Sequence, residues 1–202
     1  MRSLPLKEPI AIHSAVLFYD EENEELLGYG GSDESSSLPA YLYRLKLGVP
    51  AGELYEWSRT SVNCPQHQGF VWQHSAHLST RSFFSGQEGR FLTVIGGCRF
   101  SHSPYNSVVE IDLKTLTVGN SLQLDQGLVS QDSVVRGDAI LVFGGANGGN
   151  FSETVYVIRG GAYESLPGHR AIGCCCLLVG DEILVYGGVS GPASLNGAYL
   201  YS

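Results

Sequence analysis

The sequence predicts an all-β chain built from four repeats of a short-stranded unit, and three observations carry that expectation. An apolar run ending in a glycine pair occurs four times, at Leu26–Gly31, Leu92–Gly97, Ile140–Gly145 and Ile183–Gly188. The first glycines of the pairs lie 66, 48 and 43 residues apart, a repeat with one insertion, and a period of this size points to a repeat architecture. A further apolar or aromatic strand follows each pair at a regular offset of about eleven or twelve residues, at Tyr41, Val108, Val155-Tyr156 and Tyr199. Composition agrees: 202 residues with 43% hydrophobic residues, 26 glycines and 16% charged residues suit a turn-rich β protein better than a helical bundle.

The strands can be placed in order from alternation and turn residues. In the first unit they are Ile10–Tyr19, Glu25–Gly31, Tyr41–Leu45 and Leu54–Trp57, with the acidic run Asp20–Glu25 as a solvated hairpin turn. A polar stretch, Ser58–Gln73, accounts for much of the long first spacing. The second unit has Ser75–Ser85, Phe91–Gly97, Ser107–Leu113 and Leu116–Gln123. The third has Leu128–Val135, Ala139–Gly145, Thr154–Ile158 and Tyr163–Leu166. The fourth has Ile172–Val179, Glu182–Gly188 and Ala198–Tyr201, one strand short of four. Repeated four-stranded units separated by turns are the signature of propeller blades. Glycine at the pair suits a strand that turns sharply where backbones approach closely.

These residues resemble the kelch repeat, in which an apolar run ends in Gly-Gly, a tyrosine-bearing strand follows, and a tryptophan lies on the outer strand. Gly30-Gly31 with Tyr41 or Tyr43 and Trp57 match in the first unit; Gly144-Gly145 with Tyr156 and Gly187-Gly188 with Tyr199 match in part. The second unit carries Val108-Val109 in place of the tyrosine. His13, His77 and His169, which fall 17, 19 and 18 residues before their pairs, look like equivalent residues with a structural hydrogen bond. The resemblance implies a single kelch-type β-propeller domain over residues 1–202. Its blades are expected at 10–58, 74–124, 127–167 and 169–202 plus 1–6. Either the amino-terminal strand Arg2–Leu6 supplies the outer strand of the fourth blade and closes a four-bladed ring, or the chain is part of a larger propeller.

The net charge is −8, and residues 1–35 hold eight acids against Arg2 and Lys7, which leaves −2 for the rest. No basic stripe is present to displace counterions from a phosphate backbone, so no nucleic acid is expected as a partner. No apolar run approaches a membrane span and the amino end lacks a secretory core, so the expected location is cytoplasmic or nuclear. The five cysteines lack regular spacing, and Cys174-Cys175-Cys176 alternate faces of one strand, which suggests buried free thiols.

The resemblance implies a non-enzymatic protein-interaction module that binds its partner through the loops after the diglycines and the segments leading into each inner strand. The candidate contact residues are Arg99, Phe100, His102 and Tyr105 in one loop, and Asn147, Asn150 and Phe151 in another. An arginine, aromatics and a histidine together are the residue types that dominate interface energetics. The alternative is a propeller enzyme or sugar binder using the central channel, with Arg81, Arg99, Arg136 and the three histidines as its polar residues. No catalytic set, metal or cofactor is expected. Cys64-x-x-His67 with His74 and His77 fits no standard zinc spacing, and the glycine-rich run at 144–149 lacks a phosphate-loop lysine.

Overall fold

The computed structural model describes residues 4–8, 12–32, 40–66, 73–99, 103–191, 193–194 and 197–202. Among these every regular element is a strand, and the four main sheets are β-propeller blades. The chain divides into two compact units, residues 1–72 and 73–202.

The first unit is one blade, ordered β1 (His13–Asp20), β2 (Glu25–Ser32), β3 (Tyr41–Lys46) and β4 (Trp57–Ser61). The acidic hairpin is only partly solvated. Glu21, Glu22 and Glu24 are exposed, but Asp20 and Glu25 are buried at the two strand ends. Asn23 Nδ2 donates to Asp20 at 2.9 Å and Arg44 pairs with Glu25 at 2.5 Å, so each buried carboxylate has a partner. The outer strand starts at Trp57, not Leu54, and runs into the stretch expected to be loop. Alternation in Tyr41–Lys46 fixes the register, with Leu45 opposite Trp57 and Tyr41 opposite Ser61. Ahead of it, Tyr55 bridges in parallel to Leu6; Tyr55 N donates to Pro5 O and Lys7 N to Tyr55 O, both at 2.8 Å. The described part of the amino-terminal segment is therefore paired within its own unit. Arg2 and Ser3 of the expected closing strand lie outside the described residues.

The second unit holds three blades. The first comprises β5 (Ser75–Arg81) and β6 (Glu88–Ile95), a two-residue pair β7 (Cys98–Arg99) and β8 (Ser103–Pro104), then β9 (Ser107–Asp112) and β10 (Thr117–Gln123). The next is β11 (Val129–Arg136), β12 (Ala139–Asn147), β13 (Asn150–Phe151), β14 (Thr154–Arg159) and β15 (Ala162–Pro167). The last is β16 (Cys175–Val179), β17 (Glu182–Tyr186), the pair β18 (Val189–Ser190) and β19 (Ala193–Ser194), and β20 (Ala198–Tyr201). Its sheet, ordered β16-β17-β20, has three strands among the described residues.

The core lies between blades, because alternate residues of β12 face opposite ways. Ile140 and Val142 join Ile95, Val108, Leu128, Tyr156 and Ile158 in one buried cluster; Leu141 and Phe143 join Val155, Ala171, Ile183 and Val185 in the other. Each such aliphatic side chain contributes about 1.5–3 kcal/mol on full burial.

The two junctions repeat the same bonds. Gly97 N donates to Leu128 O at 2.8 Å, and Gly145 N to Ala171 O at 2.7 Å. Ser130 N donates to Gln73 O at 3.0 Å, and Gly173 N to Ser130 O at 2.8 Å. A Cβ on Gly96 or Gly144 would collide with the carbonyl of Leu128 or Ala171. The first glycine of the pair thus exists to let the next blade's lead-in backbone approach, and the second to bond it. Ser14, Gln73, Ser130 and Gly173, one per blade, all have φ between 54° and 68°. Left-handed backbone is uncommon outside glycine, so this is a repeat marker that four dissimilar residues conceal.

Register separates the three histidines. His13 pairs with Ser32 beyond its diglycine and His77 with Thr93, three residues before Gly96, whereas His169 precedes its strand. They are not equivalent. The residue opposite the first glycine is Ala15 in the first blade, Gln131 in the third and, by extension of the β16–β17 register, Cys174 in the fourth. The tyrosine position resolves to Tyr43, Val109, Tyr156 and Tyr199, each opposite the residue two before the first glycine.

Candidate partner-binding face

Antiparallel order places the turn after each diglycine and the segment leading into each inner strand at one end of the blades. The expected loop at 146–152 is a hairpin: Asn147 pairs with Asn150, and Gly148 and Gly149 form the turn at φ 56° and 94°. Two positive φ values in succession require glycine-like residues. The hairpin holds exposed Asn150, half-buried Asn147 and half-buried Phe151 on a rigid ribbon. Ser152 N donates back to Gly145 O at 2.9 Å and closes its base.

Beside it stands the segment leading into the last blade. The Arg170 guanidinium lies 5.0 Å above the Phe151 ring, and its Nε is 4.0 Å from Glu153. His169 stacks on Tyr199 at 3.9 Å with 26° between rings. Arg170, His169 and Glu153 are exposed. An arginine over an aromatic ring is attracted by the ring quadrupole while its donors stay available to a partner. Sequence reading singled out Phe151 and missed Arg170. The signal was a basic residue on a lead-in segment about twenty residues after a hairpin, which only register could connect.

The other candidate loop is less informative. Arg99 lies in β7 with its backbone paired to Ser103. Phe100 and His102 lie outside the described residues, as do the loop at 33–39 and part of 189–196. Tyr105 is half-buried; its N donates to Gly97 O at 2.7 Å and its carbonyl accepts from Leu128 N at 3.1 Å, so its backbone is pinned into the junction. Asn106 Nδ2 likewise donates to Leu124 O at 2.9 Å.

Three of the polar residues suggested for a channel have defined partners. Arg81 donates to Gly86 O at 2.6 Å within its own turn, and Arg136 reaches Asp181 O at 3.5 Å. His77 Nε2 is 2.8 Å from Ser133 Oγ, which donates to Ser75 Oγ at 2.7 Å across the junction between blades. Burial lowers the His77 pKa to about 4, so the ring is neutral and its role is a hydrogen bond. Among the described residues no three His, Cys, Asp or Glu side chains gather to hold a metal. His67, of the weak zinc pattern, lies outside them.

Not all of the cysteines are buried as expected: Cys64, Cys98 and Cys174 are, but Cys175 is exposed, on the face of the last blade away from its neighbour. Cys174 replaces Gln131 functionally, its thiol donating to Phe143 O at 3.7 Å as Gln131 Nε2 donates to Ile95 O at 2.7 Å. The Cys174 sulfur and burial push the Cys176 thiol up, which keeps it protonated and unreactive.

No protein-family model matches the chain, and no curated protein matches it either. Among the described residues no helix is long and apolar enough to cross a membrane.

Proposed function

We propose that this chain is a kelch-type propeller module that binds a protein partner at the end of its blades carrying the diglycine hairpins. The observation that supports this reading is the group formed by exposed Arg170 and His169 on half-buried Phe151 and Tyr199, beside the Asn147–Asn150 turn. Aromatic and arginine side chains on a rigid support lose little entropy on binding and make up most interface hot spots. The kelch assignment rests on the diglycine junction and on the tyrosine position held by Tyr43, Tyr156 and Tyr199. No enzymatic role is proposed, and the module acts as a cytoplasmic or nuclear scaffold.

Affinity purification of the wild-type chain and of a Phe151→Ala/Arg170→Ala double variant tests the proposal. Lys114→Ala, in the turn between β9 and β10 at the opposite end of the blades, serves as control. The proposal expects a defined partner that the double variant loses by at least about tenfold in affinity, with the melting temperature unchanged and the control retaining it. Equal binding by all three chains would remove this face from the account. A large thermal stabilisation by a sugar or metal ion, in place of protein binding, would favour the small-molecule alternative.

A further inference from the structure

The second unit ends on a face built like the ones it buries. At the junction within it, Phe143 is 5% exposed and Leu141 2%. Their counterparts in the last blade are Tyr186, 59% exposed, and half-buried Leu184. Val134 and Val157 pack against the neighbouring cluster, whereas the matching Leu177 and Leu200 are 61% and 64% exposed. The glycine says the same. A Cβ on Gly96 or Gly144 meets the next blade, but a Cβ on Gly187 meets nothing within 4 Å.

The bonds this face would make can be read from the repeat. Its donor is Gly188 N–H, in the place of Gly97 and Gly145. Its acceptors are the carbonyls of Tyr186, in the place of Ile95 and Phe143, and Gly173, in the place of Gln73 and Ser130. What fits is the leading face of a blade of the same kind, bringing a left-handed residue with a free N–H and a lead-in carbonyl three residues before the position opposite the diglycine.

The first unit carries such a face. Ser14 has φ 60° at the left-handed position, Ile12 supplies the carbonyl in the place of Leu128 and Ala171, and Ala15 lies opposite Gly30. On the same side of β1, Leu17 and Tyr19 are 58% and 56% exposed, at positions where the third blade has the buried or half-buried Ser133 and Val135. The apolar positions and the donor–acceptor order are thus complementary between the end of one chain and the start of another.

We propose that two copies of the chain associate head to tail, the last blade of each covered by the first blade of its partner. A heterologous contact of this kind either closes or propagates. Each chain brings one such last face and one such first face, so two copies cover both. Closure at two is therefore expected.

Light scattering coupled to size exclusion over a concentration series tests this, with circular dichroism and melting to confirm that each variant folds. The wild type is expected at twice the chain mass. Leu200→Glu and Leu17→Glu, both exposed substitutions, are each expected to return it to one chain mass. Gly187→Ala does so as well, by placing a methyl where the lead-in carbonyl must come. Mixing the Leu17→Glu and Leu200→Glu chains restores part of the dimer, since one of the two junctions is then wild type on both sides. A single-chain mass at every concentration overturns the proposal, as does a ladder of larger species. A dimer that Leu200→Glu breaks and Leu17→Glu does not would mean symmetric pairing of last blades, and also overturns it.

Discussion

At the scale of single residues, the junction between blades depends on a few buried polar groups whose partners lie on the neighbouring blade. Gln131 spans from β11 to Ile95 O, the carbonyl of a residue in a buried apolar cluster. Gln131→Leu is expected to cost about 1–3 kcal/mol, the desolvation of an orphaned carbonyl, measured by urea unfolding. An unchanged midpoint would mean the bond contributes nothing. Glu110 is a comparable pin: fully buried, it accepts from Ser82 Oγ at 2.6 Å, Phe83 N at 2.8 Å and Asn120 Nδ2 at 3.1 Å, which holds the 82–85 turn onto its sheet. His77 makes the junction sensitive to acid. Its folded pKa of about 4 lies below the free value of 6.5, so the unfolded chain binds the proton more readily. The stability from keeping it neutral is complete above about pH 6.5 and is lost as pH falls from there toward 4, by about 3 kcal/mol in all. In His77→Gln that part of the slope disappears from a stability-against-pH series. A variant with the same acid slope as wild type would place the sensitivity elsewhere.

At the scale of elements, the glycine pair is where the chain's repeat and its packing meet. Gly144 sits at φ 67° against Ala171 O, so Gly144→Ala adds left-handed strain to a backbone collision. A loss of about 3 kcal/mol or more is expected in denaturant unfolding; a loss under about 1 kcal/mol would show that the neighbouring blade gives way freely. The strand boundaries of the second unit were legible because alternation and turn glycines agree there, and each expected strand of its first two blades is present within a few residues. Where they failed, another contact decided. Leu54–Trp57 has the right pattern for an outer strand, but Tyr55 is taken by Leu6, and the sheet continues from Trp57 into polar Ser58–Ser61. The run at 146–152 reads as a loop by composition, yet Gly148-Gly149 makes it a hairpin.

At the scale of the whole molecule, the sequence carries the number of blades plainly and their coupling hardly at all. The diglycines are identical in type and so visible. The left-handed residues that bond blade to blade are Ser14, Gln73, Ser130 and Gly173, and the side chains opposite the first glycine include alanine, glutamine and cysteine. Backbone geometry, not side-chain chemistry, is what repeats there, so no residue pattern reports it. The same holds for the candidate site: Phe151 is readable as an aromatic in a polar, glycine-rich run, but Arg170 joins it only through the fold. The account's central claim is that one backbone junction recurs and leaves its last copy open within the chain. Amide hydrogen exchange at the glycine pairs tests it most directly. Gly97 and Gly145 N–H are expected to be protected at every concentration, and Gly188 N–H to exchange fast in dilute solution and slow as the chains associate. Protection of Gly188 equal to that of Gly145 at every dilution would contradict it, because the last face would then be covered within one chain.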